Sequence, residues 1–119
     1  MPYKIAIVIV TDTSQADGLG RVANGLTAAK MLKDAKANVQ VIFSGAGTKW
    51  IGEIAKPDHT LYSIYTDLKD SIVGACSFCA CVFDVPNVGQ DSDLNLLEEY
   101  GTPINFYHLV QNGYQVLTF

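Results

Sequence analysis

The first feature of this sequence that limits its fold is a run of apolar, largely β-branched residues near the amino terminus, Tyr3 to Val10. Polar residues hardly interrupt the run, so it lacks the alternation that is typical of a half-buried strand. A strand of this kind is typical of a parallel sheet whose two faces are both covered by helices. The segment therefore predicts a buried strand in an α/β fold.

Further strands and helices alternate along the chain. The other predicted strands are Val39 to Phe43, Ile72 to Cys76 and Gln115 to Phe119. The predicted helices are Arg21 to Ala37, Lys49 to Ala55, Thr60 to Asp70 and Leu94 to Tyr100, while Ser77 to Phe83 could open another helix and Ile104 to Asn112 is ambiguous. This alternation indicates βαβ units. We predict a flavodoxin-like, three-layer α/β sandwich with a mostly parallel sheet of four to five strands.

The long helix after the first loop is expected to bury one stripe of apolar side chains. These side chains recur at steps of three and four residues, and they are Leu19, Val22, Ala23, Leu26 and Ala29. Gly25 stands inside the helix, where glycine costs about 1 kcal/mol relative to alanine. We interpret this glycine as a position where the helix packs closely on the sheet.

Length and charge limit the classes of function. The chain of 119 residues is long enough for one domain, which we assign to residues 1–119. Its net charge of −4 argues against nucleic-acid binding and against a polybasic membrane anchor. The longest apolar run near the amino terminus has six residues, Ile5 to Val10, which is too short for a secretory signal or a membrane span. We therefore expect a cytoplasmic protein with three reduced cysteines.

Cys76 is the strongest candidate for chemistry. It comes at the end of a predicted strand and before a possible helix, where a thiol has a lowered pKa and the thiolate is a nucleophile. In open α/β sheets, ligands bind at the carboxyl ends of the strands where the strand order reverses. With the order 2-1-3-4-5, that point lies between the first and third strands. The loop Thr11 to Gly20 and the segment after Cys76 then converge.

The neighbouring cysteines leave several interpretations open. Cys79 and Cys81 can be small buried apolar residues, because free cysteine is often buried. Cys76 and Cys79 have C-x-x-C spacing and could form a dithiol pair, although the context differs from thioredoxin-like motifs. A zinc site would need a fourth ligand, and neither His59 nor His108 has the spacing of a paired metal ligand. We expect no metal and no cofactor.

A second group of candidate residues could bind a small ligand. The turn Ser44 to Lys49 is rich in small residues, but it does not match the phosphate-binding loop pattern and is commonly just a turn. Its backbone amides or Lys49 could hold a small anion or a thiolate-bearing partner. Asp12 follows the first strand, where such a residue is commonly a turn former. The predicted ligand-binding residues are Asp12, Ser44, Gly45, Gly47 and Lys49.

The carboxyl-terminal strand suggests that subunits associate. It contains Tyr114, Val116, Leu117 and Phe119. An apolar edge strand promotes aggregation unless it is covered. We therefore expect a homo-oligomer.

Several motifs resemble the DsrE/DsrF-like family, which includes sulfur-relay proteins of the TusD and DsrE type. They are the strand Lys4 to Val10 with its following loop and helix, VIFSGAGTKW at Val41 to Trp50, GACSFCA at Gly74 to Ala80, and GYQVLTF at Gly113 to Phe119. The resemblance spans nearly the whole chain, although each motif is short. It implies a flavodoxin-like fold and assembly as a trimer or hexamer. It also implies a persulfide on Cys76, which stands where the sulfur-carrying members have their cysteine.

Three hypotheses about function follow from the residues and the resemblance. In the leading one, Cys76 accepts sulfane sulfur from a donor protein and passes it to an acceptor thiol, which is sulfurtransferase-like chemistry. In the second, the chain is a non-catalytic oligomeric module for binding or assembly, and its cysteines are structural. In the third, Cys76 and Cys79 form a thiol–disulfide redox pair, because the sulfur-relay subunits do not require the additional cysteines found here.

Overall fold

The structure is a computed structural model, and it describes residues 3–75 and 106–119 of the chain. The described residues form a mixed α/β fold in which the strands run parallel. The strands are β1 (Lys4–Ile9), β2 (Asn38–Phe43), β3 (Ile72–Ala75) and β4 (Gln115–Thr118). The helices are α1 (Gly18–Asp34), a 3-10 helix (Gly45–Lys49), α2 (Trp50–Ile54), α3 (Tyr62–Leu68) and α4 (Phe106–Gln111).

The strand order of the described sheet is β3-β2-β1-β4. β1 lies between β2 and β4, so its main chain is hydrogen-bonded on both sides. Its side chains from Ile5 to Ile9 are also buried. This burial fits the uninterrupted apolar run. The order differs from the predicted 2-1-3-4-5, because β3 pairs with β2 and the neighbour of β1 on its other side is β4. The predicted convergence of the first and third strands is therefore wrong.

One face of the sheet is covered by the helices that connect β1, β2 and β3. Alternate side chains of β1 and β2 point to this face, among them Ile7, Ile9 and Phe43. The helices supply the matching apolar side chains, which are Val22, Leu26 and Ala29 of α1, Trp50, Ile51 and Ile54 of α2, and Tyr65 and Leu68 of α3. These side chains are almost completely inaccessible to solvent. They form the larger of the two apolar cores among the described residues.

The opposite face has a smaller apolar cluster. Ala6, Val8 and Ile42 are buried there against Leu109 of α4. Gln40, which also faces this side, donates a hydrogen bond of 2.9 Å to the Tyr114 hydroxyl and so satisfies its amide near the core. The segment that contains α4, which was ambiguous from sequence, thus contributes a short helix with one buried side chain.

The sequence pattern of α1 is confirmed in its centre and differs at its ends. Val22, Leu26 and Ala29 are buried and Ala23 packs partly against the same core, but Leu19 is 46% exposed. The helix begins at Gly18 and ends at Asp34, three residues earlier than predicted at each end. At Gly25 an added Cβ would lie 2.8 Å from Ile9 Cδ1 and 3.0 Å from the Phe119 ring, so the close approach of helix and sheet is confirmed.

Across residues 3–75 and 106–119, the helices are too short or too polar to cross a bilayer.

Candidate functional site

Two loops meet at the carboxyl ends of β1 and β2. Residues 10–17 connect β1 to α1, and residues 44–49 lead from β2 into α2. The amide of Ser44 donates a hydrogen bond of 2.9 Å to the carbonyl oxygen of Ile9. A Cβ at Gly47 would lie only 2.0 Å from that same oxygen. The second loop can therefore approach the end of β1 this closely only because residue 47 lacks a side chain.

Trp50 connects the two loops through a hydrogen bond. Its indole nitrogen donates a buried hydrogen bond of 2.8 Å to the carbonyl oxygen of Thr11, and its side chain is 3% exposed. The turn before it is stabilised by a bond of 2.9 Å from the Thr48 hydroxyl to the carbonyl of Gly45, whose φ of +57° favours glycine. The position of the loop after β1 is thus coupled to the packing of α2 in the main core.

Asp12 is the centre of a polar network in the first loop. Its Oδ1 accepts hydrogen bonds from the Ser14 amide at 3.2 Å and from the Thr13 hydroxyl at 3.3 Å. Lys49 Nζ lies 3.3 Å from Oδ1 and 3.5 Å from Oδ2. The Ser14 amide, followed by the Lys49 ammonium, lowers the pKa of the Asp12 carboxyl below its usual value of 3.8. Asp12 is therefore ionised at neutral pH and paired with a cation from the neighbouring loop.

A second ion pair lies at the beginning of α1. Arg21 Nε donates a hydrogen bond of 2.7 Å to Asp17 Oδ2, and both side chains are more than half exposed. The Arg21 guanidinium lowers the pKa of the Asp17 carboxyl. An exposed pair of this kind contributes little to stability, so its main effect is to orient the two charged groups.

An open pocket of about 450 Å³ lies between these charged groups. Within the described part of the chain, the pocket is lined by Val10, Thr11, Asp12, Gln15, Asp17, Arg21 and Ala46. We call it the Asp12–Arg21 pocket. Its walls combine two carboxylates, one guanidinium and one amide with a small apolar surface. That mixture of groups suits a small polar ligand.

The sheet topology places this pocket where α/β folds commonly bind ligands. The chain passes from β1 to β2 and on to β3 in one direction, whereas β4 lies on the other side of β1. The strand order thus reverses between β1 and β4, and the amides of Val10 and Thr11 donate hydrogen bonds to the carbonyl oxygen of Phe119 at this point. Ligands of open parallel sheets bind outside the carboxyl ends of the strands at such a reversal.

The predicted ligand-binding residues lie close together, but they have different structural roles. Asp12 lines the pocket, and Lys49 contacts Asp12. Ser44, Gly45 and Gly47 shape the second loop, whose residue on the pocket wall is Ala46.

Sequence analysis did not identify Gln15, Asp17 or Arg21 as wall residues. The spacing of four residues between Asp17 and Arg21 is typical of an ion pair on a helix and was the available signal.

The predicted nucleophile Cys76 lies outside the described residues, as do Cys79 and Cys81. The structure does describe Ala75, the residue that precedes Cys76, at the carboxyl end of β3. Ala75 is in register with Phe43 of β2, and Phe43 is in register with Ile9 of β1. β2 separates β3 from β1, which corresponds to roughly 10 Å between those two strands. The nearer loop to the end of β3 is therefore the one after β2.

Among the residues that the structure describes, no group of three or more His, Cys, Asp or Glu side chains could hold a metal ion. Comparisons of the chain with protein-family models, curated proteins and solved structures give no match.

Proposed function

We propose that this protein is a sulfur carrier of the DsrE-like type, which accepts sulfane sulfur as a persulfide on Cys76. The resemblance of GACSFCA to the cysteine-bearing motif of that family motivates the proposal. It is supported by a described α/β fold with parallel strands in which β3 directly precedes Cys76.

The observation that carries the proposal is the position of Ala75. It is the last residue of β3 and is level with the last residues of β1 and β2. β3 thus ends at the same edge of the sheet from which the loops at 10–17 and 44–49 leave. Loops at this edge are the usual positions for reactive residues in α/β folds.

The transfer consists of two exchanges at one sulfur atom. The Cys76 thiolate attacks the outer sulfur of a donor persulfide, the donor S–S bond breaks, and the donor leaves as a thiolate. The outer sulfur is now bonded to Cys76. An acceptor thiolate then attacks this sulfur, and the Cys76 thiolate is released. Each exchange forms one bond to sulfur and breaks one, so no external oxidant or reductant is needed.

Intact-mass spectrometry after incubation with a low-molecular-weight persulfide tests this function. We expect the wild-type chain to gain one sulfur atom that dithiothreitol removes, and we expect Cys76→Ser to gain none. Cys79→Ser and Cys81→Ser are matched controls, because each removes one thiol and leaves Cys76 in place. Loading that persists in Cys76→Ser would contradict the proposal.

The same measurement separates the competing hypotheses. A loss of two hydrogens in place of a sulfur gain, abolished by either Cys76→Ser or Cys79→Ser, would favour the redox pair. A chain that gains no sulfur and forms no disulfide would favour a module with structural cysteines.

We also propose a homo-oligomer, trimeric or hexameric, that exchanges sulfur with a donor and an acceptor protein in the cytoplasm. Exposed apolar side chains near the end of the described sheet support association, and they are Phe106, Tyr107 and Val110 of α4 and Leu117 of β4. A three-layer sandwich of four to five strands is part of the same proposal. It is supported by apolar clusters on both faces of the described sheet.

A further inference from the structure

We propose that the Asp12–Arg21 pocket binds a small zwitterion, a molecule with one ammonium and one carboxylate group, such as a free amino acid. The proposal does not depend on Cys76, and it assigns a binding site in addition to the sulfur-carrier function. It rests on the size and position of the pocket, on the hydrogen-bonding state of Arg21, and on the charges of the wall.

The pocket has the dimensions and the position of a ligand site. A volume of about 450 Å³ lies within the usual range for small-molecule sites. The pocket opens where the strand order reverses between β1 and β4. Its rim is held in place by buried contacts, namely the hydrogen bond from Trp50 to Thr11 and the approach of Gly47 to Ile9. A site that is already rigid before binding loses little conformational entropy when a ligand enters.

Arg21 can receive the carboxylate of the ligand. Its Nε atom is held by Asp17 at 2.7 Å. Among the described residues, the two terminal guanidinium nitrogens make no hydrogen bond. Two adjacent N–H groups in one plane match the two oxygens of a carboxylate. Asp17 therefore serves to position the guanidinium, and it does not compete for the terminal nitrogens.

Asp12 can receive the ammonium group. Its Oδ1 already accepts hydrogen bonds from Ser14 and Thr13, whereas Oδ2 lies 3.5 Å from Lys49 Nζ, which is longer than a good hydrogen bond. Oδ2 thus retains capacity to accept from an ammonium donor.

The balance of charge on the wall favours a ligand that carries both signs. Asp12 and Asp17 would repel a phosphate or another polyanion. Arg21 and the nearby Lys49 would repel a simple cation. A zwitterion places each of its charges beside the opposite charge, so it avoids both penalties.

Binding can be measured with the standard free L-amino acids as probes, each at concentrations up to about 10 mM. Trp50 is the single tryptophan of the chain and contacts Thr11 of the pocket wall, so its fluorescence reports on the site. Calorimetry provides a second readout. We expect at least one amino acid to bind, and its N-acetyl and methyl ester derivatives to bind at least about tenfold more weakly.

Two variants test whether binding occurs in this pocket. Arg21→Gln removes the guanidinium group that would bind the ligand carboxylate, and we expect affinity to fall at least about tenfold. Ala46→Leu fills the pocket without changing a charge, and we expect binding to be lost. Lys30→Gln is the control, because it removes a cation from the same helix at a position outside the pocket. Urea unfolding of each variant checks that it is folded.

The outcomes decide the proposal. Binding that is weakened by Arg21→Gln and Ala46→Leu but not by Lys30→Gln supports it. Binding that is unaffected by both pocket variants, or no fluorescence change and no heat with any amino acid, overturns it. Neither result alters the persulfide measurement on Cys76, so failure of this inference is distinguishable from failure of the sulfur-carrier function.

Discussion

At the scale of single residues, Gly47 and Asp12 determine the geometry of the site. Gly47 lets the loop after β2 lie against the main chain of Ile9. Asp12 accepts a hydrogen bond from the Ser14 amide within the loop after β1, and it forms an ion pair with Lys49 of the other loop. Both residues were candidates from sequence. Their partners were not predictable, because the contacts depend on which strands are neighbours in the sheet.

Gly47→Ala should destabilise the protein by about 3 kcal/mol, because the new methyl group would meet the carbonyl of Ile9 and the main chain must shift. Gly52→Ala is the matched control. Nothing lies within 4 Å of its added Cβ, and alanine favours the helix by about 1 kcal/mol. Urea unfolding measures both changes. Equal effects of the two substitutions would contradict the packing described for Gly47.

Asp12→Asn should lower stability near neutral pH and have a diminishing effect in acid. The pKa of the Asp12 carboxyl is lowered in the folded state, so the ionised form stabilises folding above about pH 4, and this contribution is lost as the pH falls through the folded pKa. Urea unfolding of both proteins at several pH values measures the difference. A difference that stays constant down to about pH 3 would contradict the prediction.

At the scale of elements, the apolar runs predicted the strands well. β1, β2 and β3 lie within one residue of their predicted bounds, because uninterrupted β-branched runs mark buried strands. The beginning of α1 was missed because Gly18 and Gly20 suggest a loop, whereas the helix includes both. The position of β3 beside β2 was also missed, since a local pattern contains no information about lateral neighbours.

The contact between the loop after β1 and the helix α2 can be tested by Trp50→Phe. This substitution leaves the buried carbonyl of Thr11 without its donor, and we expect a loss of about 2 kcal/mol in the free energy of unfolding. Tyr114→Phe is a comparison that removes the bond from Gln40 at a partly buried position. We expect its cost to be smaller, near 1 kcal/mol. Thermal unfolding that ranks the two variants in the reverse order would contradict this interpretation.

At the scale of the whole molecule, the exposed apolar side chains of α4 and β4 lead us to expect self-association. Leu117 is 43% exposed on a strand at the end of the described sheet. The sequence predicted an apolar edge here, and the structure places β4 beside β1. The number of subunits was not predictable from the pattern, because apolar content indicates that a surface is covered without specifying its symmetry.

Leu117→Lys should shift the protein toward smaller species, because a charge on an edge strand opposes pairing between chains. Met31→Lys is the matched control, since Met31 is an apolar side chain of α1 with 68% exposure. Light scattering at micromolar concentration measures the mass of each variant. A wild-type chain that is monomeric under these conditions would contradict the prediction of a homo-oligomer.

The pairing of β1 with β4 has a consequence for folding during synthesis. β1 is an inner strand of the described sheet, yet one of its partners lies more than a hundred positions later in the chain. Contacts between such distant segments slow folding, because a long loop must close before they form. β1 can pair with β2 soon after both leave the ribosome. Its other edge stays open until residues 115–118 emerge, and a nascent chain in that interval exposes a β-branched strand to its neighbours.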